Sequence, residues 1–461
     1  MTTKRISTPK LFLSIAMVVV LSLSLLLTAL AGPWSEGTGS GNPAKAALTK
    51  LFKTPVNTTN PGGSFRFVFT PLGMVENDVL ITTNIATMPP IPQQTISIAA
   101  GAAPADTTVF AVGDSISYVK ESGDFLATLG PASWGNGEGI YRYRVEEVEA
   151  QSNIPIVNSL KETAVYSQAW YEIEIWVVED PVTKLLYAKY VYGKIVVTRV
   201  DEFYEGEDPG KLDPTPGGKN EHITVTIEDD FSQIIFTNKY WKTDGDKEAK
   251  KTALEVTKTI NGAGAVLTTY FNFTITVTQS SVIKPQQSYM AYVLDSSNNI
   301  VTDAQGRNGT YDGYEGANGY FTFVSGTPKT ISLTNGQRLG FVDLHVGSLV
   351  AVQEAANNEY TPKYQRTFTT AQQEFTGVAG SPWGFPRNTE PLDVGPHYIE
   401  EGFNHNIVKY TNTRTGATPT GLDVDDLPYV ILISLAIVGL AGFVAYKATF
   451  KATRKRAHDG A

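Results

Sequence analysis

One arrangement of residues occurs twice in this chain and constrains its fold more than any other feature. A lysine stands on a first strand-like segment, a glutamate on a middle one, and an asparagine in a closing Thr-Asn segment. The first set is Lys50 in ALTKLFKTP, Glu147 in GIYRYRVEEVE and Asn238 in IIFTNKY. The second is Lys258 in LEVTKTING, Glu354 in LVAVQEAA and Asn412 in VKYTNTR. Each set brackets a block in which apolar and polar residues alternate. Side chains two apart on a strand share a face, so Tyr141, Tyr143, Val145 and Glu147 point one way, as do Val350, Val352 and Glu354. The same parity joins Val256 to Lys258 and Phe236 to Asn238. Twice, three polar groups are aimed into an interior that the pattern makes apolar.

Burying such groups unpaired is costly. Desolvation lowers a lysine pKa and raises a glutamate pKa, so a neutral amine and a protonated acid can coexist there. The amine is then placed to attack the asparagine amide carbon while the acid polarises the carbonyl and shuttles protons. The product is an intramolecular Lys–Asn isopeptide bond, with loss of ammonia. The pairs expected are Lys50–Asn238 and Lys258–Asn412, with Glu147 and Glu354 as the catalytic acids. Each reaction happens once, so the pattern suits mechanical and proteolytic toughness rather than turnover of a substrate.

The alternating segments set the organisation. Residues 32–241 contain SFRFVFTPL, GIYRYRVEEV, WYEIEIWVVED, LLYAKYVYGKIVV and HITVTI, all rich in β-branched and aromatic residues. A polar, lysine-rich connector over 242–251 follows. Residues 252–413 repeat the scheme with LEVTKTI, TYFNFTITVT, SYMAYVLD, GYFTFVSG and TISLT. Short strands with regular turn signals, and few helix signals, predict an all-β chain of two tandem Ig-like β-sandwich domains.

The two ends predict the compartment. Residues 1–31 carry Lys4, Arg5 and Lys10, then an apolar run, then Ala29-Leu30-Ala31, the layout of a signal peptide. After a short linker over 414–426, residues 427–446 form an apolar stretch long enough to span a bilayer. The tail over 447–461 holds Lys447, Lys451, Arg454, Lys455 and Arg456, which keeps it cytoplasmic and the bulk outside. The formal charge is −9, and removing the two basic ends makes the remainder more acidic still. Such a surface repels phosphate backbones, so nucleic acid is not an expected partner.

The chain has no cysteine, which rules out disulfides, thiolate metal sites and thiol nucleophiles. His397, Glu400, Glu401 and His405 lack metalloprotease spacing and read as a surface loop. No cofactor or metal is expected, and no Gly-x-Ser-x-Gly marks a hydrolase.

Ahead of the apolar span lies Ala417-Thr418-Pro419-Thr420-Gly421. Pro-Thr-Gly, apolar span and basic tail in that order resemble a Gram-positive sortase sorting signal, although Thr418 replaces the usual apolar residue. With the duplicated sets, the chain resembles a Gram-positive pilin or surface protein of the streptococcal isopeptide-linkage type, with T-antigen-like, Cna B-type domains. The resemblance spans both blocks and the anchor. It implies the two bonds named above, cleavage between Thr420 and Gly421 by a sortase, and attachment to other pilin subunits or to peptidoglycan. Lys53 and Glu146 neighbour the assigned residues; parity decides against Glu146 and leaves Lys53 open. The alternative is a lone surface adhesin with a membrane or wall anchor and an unidentified host ligand. An enzyme is the third reading and has no active-site group to carry it.

Overall fold

The computed structural model describes residues 34–76, 79–196, 212–217, 231–301, 314–315, 319–367, 392–402, 406–414 and 427–458. The signal-like segment, all of HITVTI, His405 and the Thr420-Gly421 motif lie outside the described residues. Among the described residues the regular structure is β-strand up to the C-terminal helix, apart from three single-turn 3-10 helices.

Four sheets pack in pairs. In the first pair, a larger sheet is centred on Trp170–Glu179, Gly139–Glu147 and Gly63–Glu76. A smaller one is centred on Ile235–Asp244, Thr49–Pro55 and Ser115–Glu121. Alternation builds the interface between them. Phe65 and Phe67 of one sheet and Phe52 and Phe236 of the other are fully buried in a single core. In the second pair, a seven-stranded sheet contains Leu254–Asn261 and Ile407–Thr413, and a four-stranded sheet contains Phe271–Thr278 and Leu349–Glu354. Val256, Tyr410, Phe273 and Val352 meet in its core. Each large apolar side chain buried this way contributes roughly 1.5–3 kcal/mol.

In each sandwich the lysine strand lies parallel to the asparagine strand that closes it. Thr49–Pro55 pairs in parallel with Ile235–Asp244, and Leu254–Asn261 with Ile407–Thr413. Such a pairing encloses the rest of the sandwich in one long crossover, so residues far apart in sequence become neighbours.

The connector expected over 242–251 is partly strand. Ile235–Asp244 runs on past the first core, and its Thr243 and Asp244 pair antiparallel with His345 and Leu344 of the second block. Ladder hydrogen bonds and burial of Asp244 outweigh the polar composition that marks a linker. Lys242 also pairs with Glu401 at 2.8 Å, and the Ser281 hydroxyl donates to Asp114 at 2.6 Å. Gly347 turns there with φ +79°, and a Cβ at this position would stand 2.6 Å from Val56 O. The close approach of the two sandwiches requires glycine.

The C-terminal helix, Leu427–His458, is longer than the 427–446 expected. Ala, Lys and Arg dominate the residues after Tyr446 and carry it through the basic tail. Ile431–Ala448 within it is apolar and exposed, at about 27 Å long a near match to the hydrocarbon core of a bilayer.

Candidate functional site

The two lysine–glutamate–asparagine sets occupy equivalent places in the two sandwiches. Lys50 lies opposite Phe236 in the parallel ladder, and Asn238 is two residues further on the same face. Lys258 lies opposite Tyr410, with Asn412 again two further. The glutamates come from the facing sheet, where Glu147 pairs with Phe67 and Glu354 with Phe273. Identical register in both sandwiches thus delivers one carboxyl between one lysine and one asparagine.

The contacts are close and buried. Lys50 Nζ lies 2.6 Å from Glu147 Oε2, with both side chains fully buried. Asn238 Nδ2 donates to Glu147 Oε1 at 2.6 Å, and Asn238 Oδ1 accepts from the Ser167 backbone N–H at 2.7 Å. In the second sandwich Lys258 Nζ donates to Glu354 Oε1, and Asn412 Nδ2 approaches the same oxygen at 3.1 Å. Glu354 Oε2 and Asn412 Oδ1 are buried and have no hydrogen-bond partner among the described residues. Lys53 is only partly buried, and Glu146 pairs with Arg144 at the sheet surface. Neither reaches the interior.

Aromatic rings cap each amine. Lys50 Nζ is 4.4 Å from the centre of the Phe65 ring and 5.9 Å from that of Phe67. Lys258 Nζ is 3.8 Å and 5.7 Å from Phe271 and Phe273. Both blocks carry a Phe-x-Phe strand, Phe65-Arg66-Phe67 and Phe271-Asn272-Phe273; its role depends on which strand of the facing sheet lies over the lysine.

The environment sets the charges. Burial among these rings lowers the Lys258 pKa to about 8, against the opposing pull of Glu354. Burial also raises Glu354, partly offset by Lys258 and by the hydrogen bond from Asn412. In the second site a neutral amine beside a protonated acid is therefore accessible near neutral pH. Both the amine and the amide lie within hydrogen-bond reach of one carboxyl, the proximity that amide exchange needs.

The remaining candidates separate. His397 is half-buried on the strand Leu392–Tyr398, not in a surface loop, and Glu400 is buried. Among the described residues no group of His, Asp and Glu is arranged to hold a metal. A groove of about 260 Å³ on the outer face of the larger first sheet is lined by Trp34, Trp176, Tyr190 and Tyr192. Trp34 and Trp176 each stand nearly perpendicular to Tyr190. Glu174, which accepts from the Tyr192 hydroxyl and from Arg142, borders it.

A family model described as a domain of unknown function, DUF7601, matches residues 252–380. No curated protein matches the chain. Among solved structures, the major pilin from Streptococcus pyogenes is 16% identical, with 81% of this chain and 100% of that one covered and a TM-score of 0.27. The major pilin protein T3.2 from S. pyogenes serotype GAS13637 is 17% identical, with coverages of 83% and 99% and a TM-score of 0.26. A pilus-presented adhesin is 11% identical, with coverages of 80% and 100% and a TM-score of 0.23.

Proposed function

We propose that the chain is a structural cell-surface protein, a pilin subunit, whose two sandwiches are each locked by a self-made isopeptide bond. The observation that carries this reading is the duplicated set of buried lysine, glutamate and asparagine in identical register. One buried ion pair is weak support for any function, because such pairs also occur as structural elements. Two at equivalent places, each with an amide on the same carboxyl and two rings over the amine, fit bond formation. The bonds Lys50–Asn238 and Lys258–Asn412 join Thr49–Pro55 to Ile235–Asp244 and Leu254–Asn261 to Ile407–Thr413, the parallel strands near the two ends of each sandwich. Tension entering at one end of a sandwich then leaves at the other through covalent bonds, and the strands between carry none of it. A chain without cysteine has no disulfide to serve this purpose.

Anchoring completes the reading. The C-terminal helix holds the chain in the membrane, and a sortase cleaves between Thr420 and Gly421 to transfer Thr420 to another subunit or to peptidoglycan. Digestion of the wall with a muramidase should release a form lacking Leu422 onward, and denaturing gels should resolve a ladder of covalent multimers. Recovery of a single species with its intact tail, in the membrane fraction, would leave the second reading, a lone adhesin. The observation favouring that reading is the open aromatic groove, since exposed rings of this density commonly mark a binding surface.

A further inference from the structure

The two sites share their lysine, glutamate and asparagine but differ at the asparagine oxygen. Asn238 Oδ1 is held at 2.7 Å by the Ser167 backbone N–H, whereas Asn412 Oδ1 is buried without a partner among the described residues. The backbone explains the contrast. In the first sandwich the strand Glu162–Val165 runs beside Ile235–Asp244 and stops at Val165, opposite Lys239. The chain then leaves the ladder, and the Ser167 N–H turns toward the asparagine side chain. The Ser167 hydroxyl accepts from Ala169 N at 3.3 Å within this turn, and Ser167 itself is buried. In the second sandwich the strand Thr361–Thr367 continues straight past the site. It places Pro362, which has no N–H, opposite Asn412.

We propose that the Ser167 backbone N–H is an oxyanion donor that activates the first site, and that the second site works without one. This inference rests on the isopeptide reading. Lys50 Nζ first passes a proton to Glu147, then attacks Asn238 Cγ. As the new C–N bond forms, the carbonyl π pair moves onto Oδ1, where the Ser167 N–H receives the developing charge. The tetrahedral carbon frees the Nδ2 lone pair, and Glu147, hydrogen-bonded to that nitrogen, returns its proton there. Glu147 next takes the second proton from Nζ. The oxygen pair re-forms the carbonyl as the Cγ–Nδ2 bond breaks, and ammonia leaves. Five hydrogens enter on the ammonium and the amide; three leave with ammonia, one stays on the new amide and one on Glu147. In this geometry the first-site carboxyl acts on the amide nitrogen, and polarising the oxygen falls to the backbone.

The test follows ammonia loss from the full-length ectodomain after a pulse of cell-free synthesis, read by mass and assigned to each domain by peptide mapping. Ser167→Pro removes the N–H. Replacing Ser167 by its α-hydroxy acid analogue substitutes an ester oxygen for the N–H, and keeps the test valid if the proline variant does not fold. Loss of one oxyanion donor should slow closing of the first bond roughly a hundredfold or more, with the second bond closing at the wild-type rate as an internal control. A variant that folds and closes its first bond as fast as wild type overturns the assignment of Ser167 alone. A wild-type chain that loses no ammonia from the first domain removes the isopeptide reading, and this inference with it.

Discussion

Lys258→Met keeps most of the length of a buried side chain and removes its amine, so the second bond cannot form. The bond would close a loop of roughly 150 residues, and the loop-entropy relation used for disulfides puts the loss near 5 kcal/mol. Two local effects limit any further change. The methionine still packs beneath Phe271, whose ring centre is 3.8 Å from Nζ in the native site. Glu354, already raised by burial, takes up a proton instead of remaining as an unpaired buried charge. That avoids most of the roughly 3–5 kcal/mol that follows when a buried pair loses one partner. For a domain of this size a loss of about 5 kcal/mol corresponds to a fall of about 10–20 °C in Tm. Calorimetry of the secreted ectodomain should show the second-domain transition falling by that amount, with the first-domain transition nearly unmoved. A second-domain shift of only a few degrees, in protein whose mass proves the bond absent, would refute the loop-entropy reasoning.

Other outcomes follow from the same geometry. Glu147→Ala and Glu354→Ala should each abolish bond formation in their own sandwich only, because the two carboxyls lie in separate cores; intact mass would read one ammonia loss in place of two. Closing of the second bond should have a bell-shaped pH dependence, since the competent state carries one proton shared by Lys258 and Glu354. Its rate should fall above about 8, where the pair loses that proton, and again in acid, where Glu354 and Lys258 both hold one. His345, at the junction, is held to about 4 by burial, with Nδ1 3.1 Å from the Tyr289 hydroxyl. Its folded value lies below its unfolded one, so stability is lost as pH falls from about 6.5 toward 4, by up to about 3 kcal/mol. His345→Leu should flatten the acid dependence of Tm across that window; an unchanged slope would clear His345 of the effect.

Much of the candidate site was legible because strand parity is a local rule. Once Tyr141, Tyr143 and Val145 are taken as core, Glu147 must share their face, and the same argument separates Glu147 from Glu146. Recurrence of the pattern then made each weak motif stronger. What was not legible depends on partners across the sandwich. The Phe65 and Phe271 rings cap the amines only because the facing sheet brings them there, and no local spacing encodes that. Ser167 carries no sequence signal, since it contributes a backbone N–H that any residue but proline would supply. The connector was misjudged in part because a polar, lysine-rich composition marks linkers, whereas Thr243 and Asp244 find ladder partners in the other block. His397 was read as a loop residue from its neighbours, although strand Leu349–Glu354 pairs with its segment.

The central claim is that both buried sets are covalently closed, and a tryptic map of the secreted ectodomain tests it most directly. The account predicts an intact mass lower by two ammonia molecules, and branched peptides joining Lys50 to Asn238 and Lys258 to Asn412. Recovery of all four residues in linear peptides, at the full sequence mass, would contradict it.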